Sequence, residues 1–360
     1  MPRIPAVLLL GAVCAMPLAA EKHVLAGYFT QWGPARGYAV RNIETSGSAA
    51  KLTHLLYAFA TVSPAGHCES TDPAADRRNF DELRALKKRH PNLKILISLG
   101  GYALSNSFSR VAATPALRSI TAMSCIAMFL DGDLFDGIDI DWEYPDAADT
   151  ENFTSLLIEF RHQLDSEGKK RHRHFLLTIA APAGEQHYSK IDLERIPPFL
   201  DFINLMTYDY NGAWDKTTNH LAPLPSIEST VRGYEKGGVP ANKLVLGMPF
   251  YGRGWQGVPA RNHGLLQTST GPAPGTYEPG ADTYKVLARL SGFTRYRDPE
   301  TGTQWIYNPS SGVFWSYDDP ESMARKAAYV KKHHLRGAMF WELSGDDPRG
   351  TLVRTLAKGL

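Results

Sequence analysis

The segment Phe135-Asp136-Gly137-Ile138-Asp139-Ile140-Asp141-Trp142-Glu143-Tyr144 carries three carboxylates at every second position. Side chains alternate between the two faces of a strand, so Asp139, Asp141 and Glu143 share one face while Ile138, Ile140 and Trp142 fill the other. Same-face neighbours on a strand lie ~6.6 Å apart at their Cα atoms. Burying such a row is costly, so a fold keeps it with compensation, with a metal, or with chemistry that uses the repulsion. Crowded carboxylates do not all ionise, and one of them holds a proton near neutral pH. Glu143, nearest the C-terminal end of the strand, is the candidate general acid. A divalent cation held by the same oxygens is the alternative. No HExxH or Cys/His cluster supports zinc, and Asp131-Gly132-Asp133 fails the calcium-loop pattern because Phe135 occupies the third ligand position. No metal and no cofactor is expected.

The elements that would position this row recur along the chain. Runs rich in β-formers are read as eight strands: His23–Thr30, His54–Val62, Lys94–Gly101, Phe135–Glu143, Phe175–Ala183, Phe202–Tyr210, Lys243–Gly252 and Gly337–Gly345. Amphipathic helices are expected over Asn79–His90, Thr114–Leu130, Thr150–Gly168, Ser226–Gly237 and Glu321–His334, with weak helix signals after strands one and five. Alternation of strand and helix implies parallel pairing, and eight units close a (β/α)8 TIM barrel of the α/β class. Its active face is the C-terminal rim, where the acid row ends together with Tyr28, Trp32, Ser98, Met206, Tyr208, Asp209, Tyr251, Arg253 and Trp341. About 65 residues separate strand seven from the next helix, and three short alternating runs within them read as an antiparallel meander that would deepen a cleft into a groove. The division expected is a signal peptide over 1–20, a barrel over 21–252 and 317–360, and a small α+β insertion over 253–316, between strand seven and helix seven.

Composition excludes several classes. At 360 residues and 43% hydrophobic content the chain can bury a large core. A formal charge of +2 predicts no nucleic-acid partner, and Arg171-His172-Arg173-His174 reads as a solvated loop. Arg3, the apolar run from Ala6 to Val13 and the exit Leu18-Ala19-Ala20 read as a secretion signal too short to span a bilayer, so an extracellular or periplasmic monomer without a membrane partner is expected. Its removal leaves Cys68 and Cys125, which could form one disulfide or stay as two buried thiols. Trp32, Trp214 and Trp255 could each be core or an exposed stacking platform, whereas Trp341, at a strand end beside the acid row, reads as a platform.

These residues resemble the family 18 chitinases. Phe135–Glu143 matches the family's DGxDxDWE strand four, Ser98-Leu99-Gly100-Gly101 its SxGG strand three, Met206-Thr207-Tyr208-Asp209 its strand six and Met339–Leu343 its strand eight. Gly247–Gly254 is similar to strand seven and the entry to the insertion of bacterial members, so the motifs run from Gly27 to Asp346. The resemblance implies hydrolysis of β-1,4-N-acetylglucosamine linkages in chitin or chito-oligosaccharides, with retention and with the substrate's acetamide as nucleophile. Such enzymes are an exception to the rule that reads stereochemistry from carboxylate spacing. It implies Glu143 as acid/base, Asp141 holding the acetamide N–H, Asp139 beneath it, Tyr208 donating to the acetamide oxygen, Asp209 favouring a distorted sugar and Trp341 as the floor. Tyr28, Trp32, Ser98, Gly101, Tyr102, Tyr144, Met206, Trp214 and Arg253 are the further substrate-binding candidates, Tyr102 standing where many members carry tryptophan. A cis peptide between Trp341 and Glu342 is also implied.

A chitin-binding lectin on the same barrel is the non-enzymatic rival, but such relatives typically lack the acid that Glu143 supplies. An endo-β-N-acetylglucosaminidase acting on N-glycan cores is the rival by substrate, and the insertion argues against it.

Overall fold

The computed structural model describes residues 23–360, and the expected signal peptide lies outside them. Eight parallel strands close a ring: Val24–Thr30, His54–Val62, Lys94–Gly100, Gly137–Asp141, Leu176–Pro182, Phe202–Met206, Leu244–Pro249 and Gly337–Trp341. The eighth pairs with the first from Val24↔Gly337 to Gly27↔Phe340, and the first pairs with the second, which completes the closure. Alternation sorts their side chains. In the first strand Leu25 and Phe29 point into the apolar layer shared with the outer helices, while Ala26 and Tyr28 join Leu56, Phe202, Val245 and Met339 inside the barrel. In the fourth strand Ile138 and Ile140 take the outward positions and leave Asp139 and Asp141 facing in.

The longer helices are Pro73–Arg89, Pro115–Phe129, Thr150–Arg171, Leu224–Lys236, Pro320–Lys332 and Thr351–Gly359. The connections after strands one and five hold no α-helix longer than Val40–Thr45 and Glu185–Tyr188. Helix Pro73–Arg89 starts six residues before the expected Asn79, because the Asp72 carboxylate caps the Ala74 and Ala75 N–H groups and Pro73 occupies the first turn. Among the described residues no helix is long and apolar enough to cross a membrane.

Four strands end two or more residues sooner than the sequence pattern suggests. The fourth stops at Asp141, the sixth at Met206, the seventh at Pro249 and the eighth at Trp341. Beyond these residues the chain leaves the ladder and turns over the rim, so Glu143, Tyr208 and Asp209 sit on loops. Tyr251 and Gly252 belong to Tyr251–Gln256, a strand of a second, antiparallel sheet with Val313–Tyr317, Gln304–Asn308 and Thr294–Arg297 in succession beside it. This sheet begins two residues before the expected boundary at Arg253 and runs to Tyr317. It packs Trp255, Trp305, Tyr307 and Phe314 into a small core of its own.

Arg171 to His174 is solvated only in part: His172 and His174 are exposed, whereas both arginines are held in ion pairs. Arg173 and Lys87 both reach the buried Asp136 at 2.7 Å, and Arg171 pairs with Asp131 and Glu167 at 2.6 Å. Asp136 precedes the acid row, so these cations anchor its entry to the barrel. Cys68 and Cys125 are bridged, with Cα atoms 5.0 Å apart. The bridge ties the short strand Cys68–Ser70, paired with the second barrel strand, to helix Pro115–Phe129.

Candidate active site

A cleft of about 1380 Å³ opens at the C-terminal ends of the barrel strands, larger than the ~300–1,000 Å³ usual for a small-molecule pocket. The acid row descends from it in steps. Glu143 and Asp141 line the cleft, whereas Asp139 is wholly buried beneath them. Asp139 is satisfied by four donors: Tyr28 Oη at 2.9 Å and Ser98 Oγ at 2.7 Å to one oxygen, and Thr178 Oγ1 at 2.6 Å and Asn204 Nδ2 at 3.3 Å to the other. Burial raises its pKa while these donors oppose the rise. Asp141 lacks that support: its Oδ1 is buried without a hydrogen-bond partner. Burial, followed by the charges of Glu143 and Asp139, pushes its pKa well above the usual carboxylate range. The Glu143 carboxyl is also raised, first by burial and then by the Asp209 charge, against a hydrogen bond from the Tyr144 hydroxyl. The deepest acid is thus fully hydrogen-bonded and the middle one is not, and a proton shared over Asp141 and Glu143 is the state burial favours at neutral pH.

The backbone around the row is held by the third-strand glycines. Gly100 and Gly101 adopt φ of +108° and +83°, and a Cβ on Gly100 would lie 2.3 Å from Asp141 O. A Cβ on Gly101 would strike the Phe59 ring at 2.6 Å. The Gly101 N–H donates to Asp141 O at 2.7 Å, and Ser105 Oγ takes the Glu143 N–H at 3.0 Å. Only glycine tolerates that approach with that backbone.

A second group closes the cleft from the sixth and seventh strands. Arg253 clamps Asp209 with two bonds, Nε–Oδ1 at 2.9 Å and Nη2–Oδ2 at 2.7 Å, and its guanidinium lies 5.0 Å from the Trp214 ring centre. Asp209 has φ of +57°. Tyr208 is partly buried beside Tyr251, their ring centres 6.2 Å apart, and desolvation together with Tyr251, Asp141 and Glu143 keeps its hydroxyl protonated. Trp341 stacks on Phe59 at 5.6 Å and tilts against Tyr28 at 5.3 Å, which leaves one indole face to the cleft. The Trp341-Glu342 peptide is cis, as are Ala58-Phe59 and Glu143-Tyr144.

Of the residues singled out from sequence, Tyr28, Trp32, Tyr102, Tyr144, Met206, Trp214, Arg253 and Trp341 line the cleft. Tyr102 and Trp214 are 86% and 59% exposed, so they stand as rim platforms and not as core. Ser98 and Gly101 do not reach the cleft: Ser98 is wholly buried under Asp139, and Gly101 serves the backbone. Trp255 is fully buried in the second sheet and is core. Phe59, Gln186, His187 and Tyr277 line the cleft although no sequence signal singles them out. His187 stacks on Tyr144 with ring centres 4.3 Å apart. Phe59 sits at the register shift between Ala58 and Ala60 in the second strand, Gln186 and His187 in the four-residue helix Glu185–Tyr188, and Tyr277 in an irregular loop, so no periodicity marks them as cleft residues. Among the described residues no cluster of His, Cys, Asp and Glu suits a metal ion.

A closed (β/α)8 barrel with acids of graded burial in an aromatic-lined cleft defines a glycoside hydrolase. The model for glycosyl hydrolases family 18 matches residues 24–346, and the chain belongs to that family. Chitinase A1 of Niallia circulans is 37% identical over 91% of this chain, and the chain spans 57% of that relative's length. Chitinase 1 of Aphanocladium album is 35% identical over 92% of this chain and 84% of its own. Chitinase ChiA74 from Bacillus thuringiensis superposes with a TM-score of 0.88 at 32% identity, covering 94% of this chain and 70% of that one.

Proposed function

We propose that this protein is a secreted chitinase that hydrolyses β-1,4-N-acetylglucosamine linkages with retention, using the substrate's own acetamide as nucleophile. The observation that carries the reading is the grading of the acid row. Glu143, raised by burial and facing the cleft, protonates the glycosidic oxygen, while Asp139 is sealed beneath the site and Asp209 is clamped by Arg253, which supports a nucleophile supplied by the substrate. The unpartnered Asp141 Oδ1 offers an acceptor to an acetamide N–H. The protonated Tyr208 hydroxyl donates to the acetamide oxygen, and Trp341 supports the sugar. Positive charge developing on the acetamide is stabilised by the same carboxylates whose crowding is costly in the free enzyme. Asp209, fixed by Arg253, raises the Glu143 pKa through its charge. The second sheet, running from Tyr251 to Tyr317, walls one flank so that a polymer lies along the rim.

Positioned proton transfer supplies about 10²–10⁴-fold, or ~3–5 kcal/mol of barrier. Glu143→Gln keeps the shape and removes the proton, so kcat on a chito-oligosaccharide should fall by at least ~10²-fold with an unchanged circular dichroism spectrum. Near-normal turnover by this variant would refute the assignment.

A further inference from the structure

Two rim loops meet across one end of the cleft. The first follows strand one and carries Trp32 and the short turn Gly33–Arg36; the second belongs to the insertion and carries Tyr277. The Arg36 guanidinium lies over the Tyr277 ring at 4.1 Å, and the Trp32 indole N–H donates to the Tyr277 hydroxyl. Neither loop is loose. The Thr276 N–H and hydroxyl bind Asp282 at 2.7 and 2.9 Å, and the Gly280 N–H bonds Ala273 O at 2.8 Å. On the other side the Tyr38 N–H bonds Gly33 O at 2.9 Å. The contact is a fixed strap.

Its position decides what it would block. The strap joins the loops after strands seven and one, which flank strand eight in the ring. Glu143 follows strand four, opposite strand eight in a ring of eight. A sugar on the Trp341 floor therefore has Glu143, and with it the leaving oxygen, on one side and the strap on the other. The stacked path from Trp341 through Phe59 at 5.6 Å to Trp32 at 6.3 Å runs to the strap.

We propose that the Arg36–Tyr277–Trp32 strap closes the end of the cleft that receives the non-reducing end of the chain, so that the enzyme attacks from that end and releases a short oligomer of one length. This rests on the chitinase reading above. The test is chitohexaose tagged at its reducing end, with early products resolved by mass. The native enzyme should give untagged products of a single short length. Arg36→Ala combined with Tyr277→Ala should spread the cleavage positions, lowering the ratio of main to other products by about threefold or more, the size of a lost cation–π contact and hydrogen bond. Arg36→Ala alone, at an exposed side chain, should move the ratio the same way by less, which keeps the test open should the double variant fold poorly. Scattered cleavage by the native enzyme, or an unchanged product ratio in folded variants, overturns the strap. Absence of any cleavage overturns the chitinase reading and the strap with it.

Discussion

Replacing Arg253 by alanine removes the cation that holds Asp209 beside the acid row. Two charge-assisted bonds of 2.9 and 2.7 Å are lost. Bonds to charged groups contribute roughly 1.5–3 kcal/mol each net. The Arg253 and Asp209 side chains are 17% and 31% exposed, so solvent screening reduces the pair to a coupling of about 2 kcal/mol. Arg253→Ala should cost more than the coupling, about 3 kcal/mol, because the stacking on Trp214 and Tyr251 goes with it. The assay is a double-mutant cycle of Arg253→Ala and Asp209→Ala in urea. The same variant has a catalytic signature. An uncompensated Asp209 charge raises the Glu143 pKa further, so the alkaline limb of kcat/KM should move to higher pH. A coupling below about 0.5 kcal/mol, or a limb that moves to lower pH, would show that this ion pair does not set the electrostatics of the site.

The acid row should be a stability liability. Asp141→Asn removes a buried, unpartnered carboxylate oxygen flanked by like charge, so the variant should be more stable by about 1–2 kcal/mol in urea while losing most activity; a destabilised variant would contradict this. Asp346, whose carboxylate accepts from the Leu352 and Val353 N–H groups, is pushed by burial to about 6 from 3.8. A raised carboxyl pKa means that the folded state keeps the proton longer, so the contribution to stability is fully present below the unfolded pKa and is lost as pH rises through 6. Between pH 5 and 7 the loss from this group is about 1.3 kcal/mol, and the difference between native protein and Asp346→Asn, measured by urea unfolding at both pH values, should change by that amount. An equal slope in both proteins would count against it.

The acid row is legible in the sequence because the fourth strand is buried on both faces, so period-two alternation of Ile138 and Ile140 with Asp139 and Asp141 has a single structural meaning. The same rule misleads at the strand ends. Trp142-Glu143 and Thr207 to Tyr210 continue a strand-like mixture of polar and aromatic residues, yet they turn over the rim where no neighbour continues the ladder. Helix Pro73–Arg89 begins earlier than its periodicity indicates because its apolar stripe starts only at Phe80, while its polar first turns are announced by the Asp72-Pro73 cap. Ser98 belongs to a recognisable motif, but only three-dimensional pairing of Ser98 with Asp139 shows that its hydroxyl serves the buried acid and not the cleft. Tyr277 is invisible for a different reason. It lies in an irregular Gly- and Pro-rich loop, and its importance comes from Arg36 and Trp32, some 240 residues earlier in the chain.

The claim that the acetamide of the substrate, and not water, makes the first attack is tested most directly by the anomeric form of the earliest products. Proton NMR of a chito-oligosaccharide digest, recorded before mutarotation, should show the newly formed reducing end as the β-anomer. An initial α-anomer would mean direct displacement by water, and the acetamide would then not be the nucleophile.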